Sequence, residues 1–229
     1  IRRMLPDSRD SKLRVLEVGA GRSGLAEYLD REGLRRHLEL HAQDVTASNI
    51  DWIGEHFDGV TVGGICDVPG DFEIIIGSYV FEHVSDPRDF LGQLMGKLRP
   101  GGSLFMACPR YDLPFYLSRS ADHFTSVQRA ATGAYVLLCR LLTLATGKPA
   151  CLVHKDPAVF HLPFFRDRDA VHWVSWFDVR AHWPHAMRLK LASGSVRDWV
   201  AKNLLTIGFR VEKEAGCVPH ADNRRPISR

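Results

Sequence analysis

A chain of 229 residues with 45% hydrophobic and 25% charged residues is sized for one globular domain carrying an insertion. The formal charge of +3, with no long basic run, leaves no electrostatic footprint for nucleic acid. Five scattered cysteines (66, 108, 139, 151, 217) without a CxxC pair argue against a zinc site or a disulfide framework, and fit a reduced, cytoplasmic setting. The chain opens on Ile1, as a fragment would, and shows no signal peptide.

Strand and helix patterns alternate through the first half. Residues 14–19 (RVLEVG) are a predicted buried strand, and 23–32 a helix with Ser23 placed to cap it. A strand is expected over 38–45, a helix over 48–57 with Ser48 or Asn49 near its cap, and a short strand over 61–65. Residues 72–79 (FEIIIGSY) form the most apolar strand, expected at the centre of the sheet. A helix over 87–98 opens on proline and carries Phe90, Leu91, Leu94 and Leu98 on one face. Pro100-Gly101-Gly102 makes a turn before a strand over 103–108. This order predicts an α/β fold: a Rossmann-like, doubly wound, mostly parallel sheet with helices on both faces.

After Pro109 the rhythm breaks. Residues 110–193, rich in aromatics, histidine and proline, are expected to form an inserted lid or acceptor-binding segment of a single domain. A long apolar helix is predicted over 126–146. Its stretch from Ala130 to Ala145, interrupted by Arg140, is too short to span a membrane, which favours a core or lid helix over a membrane-surface or dimer contact. The pattern returns with a helix over 196–207, stopped by Gly208, and a strand over 209–218.

Gly19, Gly21 and Gly24 match G-x-G-x-x-G between a strand and a helix. Glycines allow a tight turn and close backbone approach, but dinucleotide enzymes use the same motif. Asp44, about twenty residues on, suits a ribose hydroxyl in either case. Glu17 breaks the tie. A carboxylate two residues before the first glycine suits a cationic ligand such as the aminoacyl ammonium of S-adenosylmethionine, and repels a pyrophosphate. Asp67, in a loop before the apolar strand, is placed to accept a hydrogen bond from an adenine amino group.

In this order VLEVGAGRSG, Asp44, CDV, FEIIIGSYVFEHVSDP and LRPGGSLFMACP resemble the successive motifs of class I S-adenosylmethionine-dependent methyltransferases, especially the ubiquinone/menaquinone-type group. The resemblance covers about the first 110 residues and recurs weakly around 195–214. It implies Glu17, Gly19, Gly21 and Gly24 around the methionine moiety of the cofactor. It implies Asp44 and its neighbour Val45 at the ribose, Asp67 and Val68 around adenine, and Ser78 and Tyr79 beside the sulfonium. Such folds end in an antiparallel strand pair. Because 219–229 is too polar for a strand, either that strand is missing or the insertion supplies it.

His83, after the apolar strand, is a candidate general base, as are His123 and His161; equally, His83 can hold its loop. Asp167-Arg168-Asp169 with His172 has a metal-like spacing, but the interleaved arginines favour a solvated loop, so no metal is expected. Tyr111, His161, Trp173, Trp176 and Trp183 either line an acceptor pocket or pack the lid. The expected reaction is methyl transfer to a small-molecule or saccharide acceptor, with oxygen favoured. The alternatives are an NAD(P)-dependent oxidoreductase and a non-catalytic methyltransferase-like subunit.

Overall fold

A computed structural model describes residues 12–113, 116–118, 121–154 and 171–215. Among them a seven-stranded sheet runs in the order β3-β2-β1-β4-β5-β7-β6. Its strands are β1 (Leu13–Val18), β2 (Leu38–Asp44), β3 (Gly59–Val62), β4 (Phe72–Ser78), β5 (Leu98–Pro109), β6 (Met187–Leu189) and β7 (Thr206–Glu212). The first five pair in parallel, whereas β7 is antiparallel to both β5 and β6. The apolar run FEIIIGS is the fourth of seven strands, and its Phe72, Ile74 and Ile75 are fully buried.

The helices are α1 (Leu25–Arg31), α2 (Ile50–His56), α3 (Pro87–Lys97), α4 (Ser126–Thr146), α5 (Trp176–His182) and α6 (Val196–Asn203). Alternating residues of the strands feed two cores. On one face Val15, Leu40 and Ile74 pack with Leu29 of α1 and Ile53 of α2. On the other Leu16, Ile75 and Leu104 pack with Leu91 and Leu94 of α3 and Val179 of α5. Helices therefore cover both faces, as the βαβ rhythm predicts.

Several boundaries differ from the sequence expectation. Ser23 is not the cap of α1: Gly24 takes that position and the Ser23 hydroxyl turns to Glu17. Asn49 precedes α2 without a side-chain cap bond, and the third strand lies at 59–62 rather than 61–65. Residues 99–102 bulge out of β5, because Phe72 pairs with Leu98 while Ile74 pairs with Ser103. Gly101, at φ +77°, donates to the Lys213 carbonyl at 2.8 Å there. Gly208 does not stop a helix. It lies inside β7, paired with Ala107 and Leu189, where a Cβ would stand 2.9 Å from Leu191 Cδ2.

The segment after Pro109 contributes α4, α5 and β6. Thr125 and Gln128 form a capping box at the start of α4, and Gly147 closes it at φ +67°. Val136, Cys139, Arg140 and Thr143 face inward, whereas Leu137, Leu138, Leu141, Leu142 and Leu144 are half exposed. Tyr111, Val136 and Trp173 make a small third core just beyond the end of β5. The sheet's antiparallel edge comes from β6, so the insertion does supply the outer strand. No helix among the described residues is long and apolar enough to cross a membrane.

Candidate functional site

Strand order reverses between β1 and β4, which are direct neighbours. Ligands of open α/β sheets bind outside the strand ends at such a switch point. The glycine turn leaves β1 there, and Tyr79 leaves β4 beside it. Tyr79 is held at φ +56°, a conformation uncommon for a residue with a side chain. Its amide donates to the Ala107 carbonyl at 2.7 Å, and its ring is half exposed.

Gly19 and Gly21 have φ of +61° and +50°. At Gly19 a Cβ would also stand 2.6 Å from Val80 Cγ2, so the turn packs tightly against the chain leaving β4. At Gly24 a Cβ meets open space. The end of β2 holds the turn. The Gly19 N–H donates to Gln43 Oε1 at 3.3 Å, and the Ala20 N–H to the Gln43 carbonyl at 3.0 Å. The Gly21 N–H donates to Asp44 Oδ2 at 2.9 Å. Asp44 Oδ1 also accepts from the Thr46 amide at 2.9 Å. Three successive amides are thus engaged before any ligand arrives. In dinucleotide folds such amides receive the pyrophosphate, so this turn is poorly suited to an NAD(P) cofactor.

Two cavities flank the turn. One, of about 380 Å³, is lined by Val18, Gly19, Gln43, Val45, Gly64, Ile65, Val80, Phe90 and the polar His83, Ser85, Asp86, Asp89 and Gln93, among others. The other, of about 520 Å³, is lined by Glu17, Arg22, Ser23, Tyr28, Ser78 and Tyr79 together with Ala20 and Gly24. Glu17 is only 3% exposed, and its Oε2 accepts from the Ser23 hydroxyl at 2.7 Å. Burial pushes its carboxyl up to about 7, against the opposite pull of the Ser23 hydrogen bond. A buried acid poised at neutrality, with no cation bonded to it in the fold, fits the ammonium group of S-adenosylmethionine.

The structure brings Glu17, Gly19, Gly24, Val45, Ser78, Tyr79 and His83 to these cavity walls. Gly21 and Asp44 bond to each other behind them. Asp67 and Val68 are not lining residues. Asp67 Oδ2 instead accepts from the Gly64 amide at 2.8 Å, and Val68 is buried in the larger core. Sequence reasoning passed over Gln43 and Arg22. The signal for Gln43 was a polar residue at an inward position of β2, but its partners lie far along the chain.

The remaining candidates separate. His172 is buried, its Nδ1 lies 3.1 Å from the Phe81 carbonyl, and burial pushes its pKa down to about 4. Asp167, Arg168, Asp169 and His161 lie outside the described residues, among which no group of three or more His, Cys, Asp or Glu is placed to hold a metal ion. His123 is exposed, with its ring against Phe124. Tyr111 and Trp173 share the small third core, whereas Trp176 and Trp183 pack on the larger one.

Comparison with known proteins agrees with this geometry. Residues 1–187 match the family described as a methyltransferase domain. The ubiquinone biosynthesis O-methyltransferase of Rhizobium johnstonii is 30% identical over 116 residues, covering 44% of this chain and 45% of that protein. The protein of the same name from Parvibaculum lavamentivorans is 29% identical over 100 residues, covering 42% of this chain and 40% of its own length. The chain therefore spans less than half the length of these curated relatives. Among solved structures, the methyltransferase (CMeT) domain of the citrinin polyketide synthase superposes with a TM-score of 0.53 at 14% identity, covering 94% of this chain and 50% of that one. That likeness concerns the fold. With the glycine turn, the buried Glu17 and the family match together, the chain belongs to the class I methyltransferases, whose cofactor is S-adenosylmethionine.

Proposed function

We propose that the protein transfers the methyl group of S-adenosylmethionine to an oxygen of a small-molecule acceptor in the cytoplasm. The observation that carries this reading is the buried, cation-seeking carboxylate of Glu17 on the wall of the 520 Å³ cavity. The names of the matched relatives support an oxygen as the methylated atom and a small molecule over a saccharide.

In this reading Glu17 binds the cofactor's ammonium and Arg22, on the same wall, its carboxylate. The apolar cavity with Val45, Ile65 and Val80 receives the adenine. Asp44 Oδ2 keeps a lone pair for a ribose hydroxyl while it holds the Gly21 amide. Asp67 acts on the adenine site indirectly, through the Gly64 turn. Ser78 and Tyr79 stand where the sulfonium and acceptor meet.

The bound cofactor supplies an electrophilic methyl carbon. The acceptor oxygen donates an electron pair to it as the carbon–sulfur bond breaks, and the oxygen's proton passes to a base or to water. The protein's contribution is positioning and exclusion of water. His83, on the wall of the smaller cavity, is the candidate base.

Isothermal titration with S-adenosylhomocysteine, then transfer of labelled methyl to a panel of phenols, quinols, carboxylates and sugars, tests the proposal. Binding with label recovered on an oxygen of a small aromatic acceptor is expected. Absence of binding would sink the cofactor assignment, and label on carbon or nitrogen the oxygen assignment.

A further inference from the structure

Gln43 is the most fully engaged side chain in the site, and the roles proposed above leave it unused. It is 2% exposed near the end of β2, between the two glycine-bearing turns that wall the 380 Å³ cavity. Its Oε1 accepts from the Gly19 amide at 3.3 Å, and its Nε2 donates to the Gly63 carbonyl at 2.5 Å. Gly63 is held at φ +141°, with its amide donating to the Asp44 carbonyl at 2.9 Å. The next amide, of Gly64, is taken by Asp67. One carboxamide therefore spans from the turn after β1 to the turn after β3, with one donor and one acceptor each committed to a different turn. Aspartate or glutamate lacks the donor, and leucine or methionine lacks both groups.

We propose that Gln43 is a positioning residue for the cofactor, setting the spacing between the glycine turn and the Gly63-Gly64 turn so that one ligand engages both walls at once. This rests on the reading that the amino-acid end of S-adenosylmethionine meets Glu17 while its adenine lies against Gly64 and Ile65. A ligand that spans two subsites gains from their fixed separation, and that gain is lost when the subsites move independently. A ligand that fills only one subsite is indifferent to the separation. Loss of Gln43 therefore falls on the long ligand and spares the short one.

Isothermal titration of the full chain with S-adenosylhomocysteine and, by competition, with adenosine separates this from a general structural role. Gln43→Met keeps the length of the side chain and removes both hydrogen bonds. The expected result is S-adenosylhomocysteine weakened by about tenfold or more, with adenosine changed by less than about twofold. Equal weakening of both ligands assigns Gln43 to the fold alone and overturns the proposal. So does an affinity for S-adenosylhomocysteine within about threefold of the parent protein. Gln43→Glu serves if the methionine variant does not fold. It keeps the acceptor for Gly19, sets an oxygen against the Gly63 carbonyl, and is expected to show the same selective loss. A parent protein that binds no S-adenosylhomocysteine would instead overturn the cofactor reading, whatever the variants do.

Discussion

Arg140 of α4 is ion-paired with Asp178 of α5, both side chains almost completely buried. A second guanidinium nitrogen of Arg140 donates to the Trp173 carbonyl at 2.8 Å. Asp178 also accepts from the Thr143 hydroxyl at 3.1 Å and from the Ala150 amide at 2.8 Å. The pair thus ties the long helix, the chain that follows it and α5 into one unit. Removing one partner leaves the other charge buried without compensation. Arg140→Met is expected to lower stability by about 3–5 kcal/mol. Urea denaturation checks this, and a loss below about 1 kcal/mol would mean the pair is solvated.

Glu17 carries a cost that the ligand removes. Its folded-state pKa of about 7 lies above its ordinary value of 4.5. Such a group supports folding fully below pH 4.5, and that support is lost as pH rises through 7. Glu17→Gln escapes the loss. The unliganded variant should match or trail the parent at pH 4.5 and exceed it above pH 7, by up to about 3 kcal/mol. Denaturation at several pH values measures the crossover. The same variant should bind S-adenosylhomocysteine far more weakly.

The same carboxyl gives cofactor affinity a pH dependence of definite sign. Below pH 7 the free protein holds Glu17 protonated, and an ammonium ligand must displace that proton. Affinity for S-adenosylhomocysteine should therefore fall by about tenfold from pH 8 to pH 6. Titration in buffers of different ionisation enthalpy should show proton release at pH 6. Affinity independent of pH over this range would place the ammonium elsewhere.

His172 acts on the acid side. Its pKa is depressed to about 4 from 6.5, so its contribution to stability is present above 6.5 and fades as pH falls toward 4. Below pH 4 the loss should approach about 3 kcal/mol. His172→Asn lacks the titrating ring and should give a flatter stability curve between pH 6.5 and 4, although lower at neutrality. An equally steep curve in the variant would assign acid lability to other groups.

Gly19→Ala meets two obstacles: the positive φ and Val80 Cγ2 at 2.6 Å. It is expected to lose at least about 1–2 kcal/mol of stability and most cofactor binding. Adding Val80→Ala relieves only the contact, so thermal melts of the double variant should show partial recovery.

The alternating strands and helices of the first half were legible because each carries its own period. The apolar FEIIIGS run reached the middle of the sheet for the same reason. The seven-residue helix α5 was not legible, since it is too short to show a period. Gly208 read as a stop because glycine ends helices more often than it lies in strands. Only the close approach of Leu191 explains its place in β7. Within the site, Glu17 was visible because its meaning is local to the turn. Gln43 and Arg140 were not, because their partners lie 20, 24 and 38 residues away in sequence. Asp44 and Asp67 were recognised as important, yet their carboxylates spend themselves on backbone amides that a residue-by-residue reading does not see.

The outer strand β6 comes from the same segment that carries α4 and α5. Trimming that segment down to a minimal nucleotide-binding core would strip β7 of its neighbour and leave its hydrogen-bonding groups bare. An exposed edge of that kind recruits other chains. The variable part of the molecule and the integrity of its sheet are therefore inherited together, and any exchange of acceptor-binding segments between relatives must carry Met187–Leu189 along with it.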